Sequence, residues 1–146
     1  MANPFTLGKK NKNKKKKNFF FVRELTKKHP TRYDDERGLG AAMGTNLNVP
    51  LPYPITDAIY ERELAKALDA LVAFDPKYLV VSLGVDIYSD DPLSSFGGIS
   101  IAGFERIGQL IAGKLEHLPT VVVQEGGYNE EMTGACVSSF FKGLTR

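Results

Sequence analysis

Two short stretches of this chain hold the residue types that could do chemistry. They are Ser82-Leu83-Gly84-Val85-Asp86 and Glu125-Gly126-Gly127-Tyr128-Asn129. The first continues an apolar run, Tyr78 to Leu83, that lies between Pro76 and Gly84. Such a Val- and Leu-rich run fits a strand buried on both faces of a parallel sheet. Asp86 then falls at the carboxyl edge of a central strand, where open α/β sheets place their ligands. A carboxylate there could bind Zn²⁺ through oxygen, act as a general base, or cap the following turn, and pattern alone favours the cap. Asp90 and Asp91, just before Pro92-Leu93, read as residues that fix the shape of their loop.

The second stretch follows Thr120-Val121-Val122-Val123, a second run of the buried type. Two glycines after a strand permit unusual dihedrals and let the backbone come close to a ligand. They aim the next side chain, Tyr128, into the cleft. A tyrosine hydroxyl held there can donate a hydrogen bond to the oxyanion formed when water attacks a carbonyl. Alone, Gly-Gly-Tyr would look the same around a core tyrosine after a loose turn.

The elements that must position these loops are legible from residue 56 onward. Thr56 is an N-cap, Asp57 and Glu61 suit the positive end of a helix, and Ile59, Tyr60, Leu64, Ala67, Leu68, Leu71 and Val72 recur at helical spacing. Phe74-Asp75-Pro76 ends that helix, and the strand 78–83 follows. Ser100 caps a second helix whose apolar face is Phe104, Ile107, Leu110, Ile111 and Leu115, with Pro119 as its stop. The strand 120–123 comes next, then a last helix from about Glu130 to Phe141. The order α-β-α-β-α predicts an α/β fold: a parallel sheet with crossover helices. Parallel strands share a carboxyl edge, so the loops of Asp86 and Tyr128 are expected to be neighbours in space.

Upstream the pattern is poorer. Residues 1–18 include the Lys/Asn tract Lys9 to Asn18, a like-charge block expected to form a disordered arm. Phe19-Phe20-Phe21-Val22 could be a strand, but residues 19–45 as a whole read as an irregular loop region marked by Gly38, Gly40 and Gly44. Residues 46–146 form the α/β domain, entered through an edge strand, Asn46 to Pro52, that stops at prolines.

Composition bounds the reading. At 146 residues, 42% hydrophobic and 25% charged, the chain is one soluble domain. No membrane-length apolar run and no signal peptide are present, and the single cysteine, Cys136, excludes an internal disulfide or a thiolate metal cluster within one chain. A cytoplasmic protein is expected. Residues 1–46 hold 12 Lys and Arg against 4 Asp and Glu, whereas residues 47–146 hold 7 against 13. The folded part is therefore acidic, and the net charge of +2 does not mark a nucleic-acid-binding domain.

Taken together, Ser82-Leu83-Gly84-Val85-Asp86, Asp91-Pro92-Leu93 and Glu125-Gly126-Gly127-Tyr128-Asn129 resemble the C-terminal part of the zinc-dependent histone deacetylase and acetylpolyamine amidohydrolase family. Asn46-Leu47-Asn48-Val49-Pro50-Leu51-Pro52 and, weakly, Pro30-Thr31-Arg32-Tyr33 resemble it in the same order. The resemblance implies a hydrolase of acetylated amines with a partial arginase-deacetylase fold. It implies Asp86 as one zinc-binding carboxylate and Tyr128 as the residue that polarises the acetyl carbonyl. It implies a substrate channel lined by Pro92 and Leu93, with Gly126 and Gly127 shaping its floor.

The chain also departs from the family. The other two zinc ligands come from an Asp-x-His motif, and a pair of adjacent histidines serves as general acid and base; this sequence has neither. Its two histidines are His29, in a loop region, and His117, at the amino edge of the sheet, and both read as surface residues. The expectation is a fragment with one of three zinc ligands, inactive alone, and an exposed sheet edge. A partner chain could complete that edge and the site. A non-catalytic interaction module using its basic arm is the alternative.

Overall fold

The computed structural model describes residues 4–7, 20–26, 35–94 and 97–146. Its chain order is β1 (Pro4–Leu7), β2 (Phe20–Thr26), β3 (Asn46–Leu51), α1 (Asp57–Phe74), β4 (Leu79–Gly84), α2 (Ile101–Leu115), β5 (Thr120–Glu125) and α3 (Glu130–Leu144). The five strands form one sheet in the order β3-β2-β1-β4-β5. β2 with β3 and β4 with β5 are parallel pairs, and β1 lies antiparallel between β2 and β4. The expected α/β fold with crossover helices is present, with β1 as the one strand that reverses direction.

α1 begins where its cap dictates: the Thr56 hydroxyl accepts from the Ile59 N–H at 3.4 Å. Tyr60, Leu64, Ala67, Leu68 and Leu71 are its buried positions, three or four residues apart and so on one face. It stops at Asp75, which takes a left-handed conformation at φ 57° and returns its N–H to the Val72 carbonyl before Pro76. α2 starts at Ser100, whose Oγ accepts from the Gly103 N–H at 3.0 Å. The same Ser100 is gripped by α1, since Asp57 accepts from its N–H at 2.9 Å and from its hydroxyl at 2.6 Å. Arg106 joins this cluster through Asp57 and Glu61.

β4 runs through the core with Leu79, Val81, Ser82, Leu83 and Gly84 buried, as its composition predicts. Against it pack Phe104, Ile107 and Ile111 of α2 and Cys136 and Phe140 of α3, all of them at most 2% exposed. β3 is an edge strand, which suits Pro50 within it. No described helix is long and apolar enough to cross a membrane.

Three readings change. β5, expected to be buried, is the other edge of the sheet: Val121 is 59% and Val123 47% exposed. A Val run has the same composition on a covered strand as on a bare one, and only the arrangement of neighbours decides. β1 lies inside the segment read as a disordered arm, and β2 carries the candidate strand Phe19-Phe20-Phe21-Val22 on to Thr26, within the region read as irregular. β1 pairs with β4 and β2, and β2 with β3, partners that local sequence does not reveal. The Lys/Asn tract, residues 9–18, and His29 lie outside the described residues.

The exposed edge predicts self-association, because β5 presents unpaired backbone groups with no Lys or Pro among its own residues to blunt them. Val123→Lys should lower the associated fraction measured by sedimentation velocity at high protein concentration. Equal association in both proteins would show that β5 is not the contact.

Candidate active site

The register of β4 on β5 builds the site. Gly84 pairs with Glu125, so the two strands end level and their loops leave the sheet side by side. Asp86 sits in a single 3-10 turn, Val85–Ile87, immediately beyond β4. Gly126 and Gly127 follow β5 with φ 61° and 92°, values that side chains rarely adopt. A Cβ on Gly126 would lie 2.8 Å from Cγ and Oδ1 of Asp86. The bare backbone of Gly126 is thus packed against the Asp86 carboxylate. At Gly127 a Cβ would meet Val85 Cβ and Thr133 Oγ1 at 3.0 Å. The two loops, 42 positions apart in the chain, meet as the parallel topology requires.

Asp86 is half-buried, and this desolvation is the main force raising its carboxyl above the ordinary value; the nearby Asp91 and Glu125 carboxylates act in the same direction. The linkage sign is unfavourable to the charged form. Between the unfolded value of about 3.9 and the higher folded one, the folded state holds the proton longer. Stability therefore falls as pH rises through that window and stays lowered above it. Asp86→Asn should raise the thermal midpoint of the metal-free chain at pH 7, and the gain should shrink below pH ~4. Denaturation scans at both pH values check this; a lower midpoint at pH 7 would contradict it.

Tyr128 is 43% exposed, with its backbone N–H bonded to Asp91 Oδ2 at 2.6 Å. The next residue, Asn129, caps α3 by accepting from the Met132 N–H at 3.1 Å and donates from Nδ2 to the Asp90 carbonyl at 3.0 Å. Pro92 and Leu93 are exposed on the same loop as Asp91, and the Leu93 N–H is bonded to Asp91 Oδ1 at 2.9 Å. The structure therefore brings Asp86, Gly126, Gly127, Tyr128, Pro92 and Leu93 to one end of the sheet. Asp91 and Asn129 bind the two loops to each other, which local pattern did not reveal. The signal available was an Asp-Pro turn and an Asn followed by Glu130-Glu131, both of which read as local caps.

Cys136 is buried beneath this region, and burial pushes its thiol up to about 11, which keeps it protonated and unsuited to nucleophilic attack. His117 follows α2 and precedes β5, at the opposite edge of the sheet from Asp86. Among the described residues no group of three His, Cys, Asp or Glu side chains could hold a metal ion. Catalytic zinc ordinarily keeps three protein ligands. The side chains described do not by themselves fit the zinc that the resemblance implies.

The α/β sheet thus carries a carboxylate and a Gly-Gly-Tyr loop level at its carboxyl edge. The family model for the histone deacetylase domain matches residues 16–144. The chain belongs to that family. It is 47% identical over 112 residues to an acetylpolyamine amidohydrolase of Burkholderia pseudomallei, covering 77% of this chain and 32% of that protein. It is 32% identical over 123 residues to histone deacetylase 8 of Arabidopsis thaliana, covering 81% of this chain and 32% of that protein. A crystal structure of the acetylpolyamine aminohydrolase from Burkholderia pseudomallei superposes with a TM-score of 0.71 at 45% identity, covering 77% of this chain and 32% of that one. The chain thus spans about a third of the length of these relatives.

Proposed function

We propose that this chain contributes the Asp86 and Tyr128 side of a site that hydrolyses the amide bond of acetylated amines, acetylpolyamines in particular. The observation that carries this is the packing of Gly126 against the Asp86 carboxylate, which sets Tyr128 two residues away on the same loop. The name of the Burkholderia relative favours an acetylpolyamine over acetyl-lysine as substrate. Pro92 and Leu93 form part of the wall of the channel that receives the aminoalkyl chain of the substrate, and Gly126 and Gly127 the floor. The Tyr128 hydroxyl donates a hydrogen bond to the carbonyl oxygen as negative charge develops there, and Asp86 offers its carboxylate as a cation ligand.

The remaining ligands and the general acid–base groups come from outside the described side chains, and the chain alone is inactive. A partner polypeptide that completes the site is part of this reading, as is a cytosolic setting. Zinc is the family's metal, and one carboxylate alone does not hold it.

The test is hydrolysis of acetylpolyamine and of an acetyl-lysine peptide with added Zn²⁺. It is run on the chain alone and mixed with a polypeptide carrying the two thirds of the Burkholderia relative that this chain does not match. The expected result is no turnover alone, turnover in the mixture, and a loss in the mixture on Tyr128→Phe of order 10²-fold, the usual cost of one oxyanion donor. Asp86→Ala should abolish it. Turnover by the chain alone that survives both variants would overturn the assignment.

A further inference from the structure

We infer that Asp91 is a positioning residue of this site, the latch that sets Tyr128 relative to the loop of Asp86, Pro92 and Leu93. The inference rests on reading Tyr128 as the oxyanion donor. Asp91 is only 7% exposed, and it is one of four buried polar or charged residues among those described. A buried carboxylate has to be repaid by hydrogen bonds. Its two oxygens are divided between two loops: Oδ1 accepts from Leu93 N–H at 2.9 Å and Oδ2 from Tyr128 N–H at 2.6 Å.

The first bond is local and would shape an Asp-Pro turn in any protein. The second crosses 37 positions of sequence and fixes the backbone of the very residue whose hydroxyl must reach the carbonyl oxygen. The latch has a second point, because Asn129 Nδ2 holds the Asp90 carbonyl at 3.0 Å. Gly126 and Gly127 need this help. Two glycines in left-handed conformations leave the chain between β5 and α3 without stiffness of its own. With Asp91 in place, the wall at Leu93 and the donor at Tyr128 move as one body.

The two bonds can be separated experimentally in the chain as it is. Alanine at 91 removes both acceptors, and asparagine keeps one. The readouts are hydrogen exchange of the Leu93 and Tyr128 amides by NMR, and the ¹⁹F signal of Tyr128 in a 3-fluorotyrosine-labelled chain, assigned with Tyr128→Phe. In Asp91→Ala, both amides should exchange at least tenfold faster and the Tyr128 ring signal should move, while the amides of Leu64 and Ile107 keep their protection. In Asp91→Asn only one of the two amides should lose protection. A purely local turn role predicts faster exchange at Leu93 with Tyr128 unmoved, and that result overturns the inference. Loss of protection throughout the chain in both variants also overturns it, since Asp91 would then serve the whole fold. Neither readout needs turnover. A Tyr128 signal that moves in a mixture that hydrolyses nothing would leave the latch standing and refute the catalytic reading.

Discussion

Alanine at Gly143 is expected to cost the chain about 3 kcal/mol, while alanine at Gly134 on the same helix is expected to stabilise it by about 0.5–1 kcal/mol. The opposite signs follow from what surrounds each position. A Cβ on Gly143 would run into the Glu105 carbonyl of α2 and come within 2.9 Å of the Gln109 nitrogen. Both obstacles are main-chain atoms of a helix and cannot swing aside. Gly108 makes the reciprocal approach, its Cα facing the Phe140 carbonyl. Glycine on each side lets α2 and α3 approach backbone to backbone. At Gly134 nothing lies within 4 Å, so alanine there brings only its better helix propensity. Urea denaturation of the two variants checks the pair. Similar midpoints would mean that α2 and α3 do not meet as described.

The second large effect is expected at Phe140. Its ring is fully buried, and with Tyr60, Val81, Leu83 and Ile107 it lines a small cavity at the carboxyl end of β4. Phe140→Ala should destabilise by roughly 3–5 kcal/mol, the transfer loss plus the enlarged void. In a domain at the lower end of the usual stability of about 5–15 kcal/mol, that is enough to populate the unfolded state. The consequence reaches the site, because α3 carries the Asn129 cap and follows directly on Tyr128. Phe140→Leu, which refills most of the volume, should recover most of the loss. A thermal scan of the three proteins decides, and an unchanged midpoint in Phe140→Ala would contradict the packing.

The comparison of Asp86 with β5 shows how far a sequence can carry such a reading. Asp86 lies against Gly126 because the rule that brings the two loops together depends only on strand direction, and direction follows from the α-β-α-β-α order. The caps at Thr56 and Ser100 were legible for a similar reason: each is a bond to a backbone N–H three residues away. The exposure of β5 was not legible. Three consecutive valines meet the steric needs of any strand, and whether another layer covers them depends on segments elsewhere.

The chain by itself determined the helices, the parallel pair β4 and β5, and the loops that hold the chemically capable residues. Those features are set by periodicity, capping and the carboxyl-edge rule, all of which act over short stretches. Only the tertiary structure decided that β1 enters the sheet reversed, that β5 is bare, and that Asp91 binds two loops. Each of those depends on contacts between segments far apart in sequence. The free energy of such contacts comes from burial and from satisfying buried polar groups, and no local pattern encodes it.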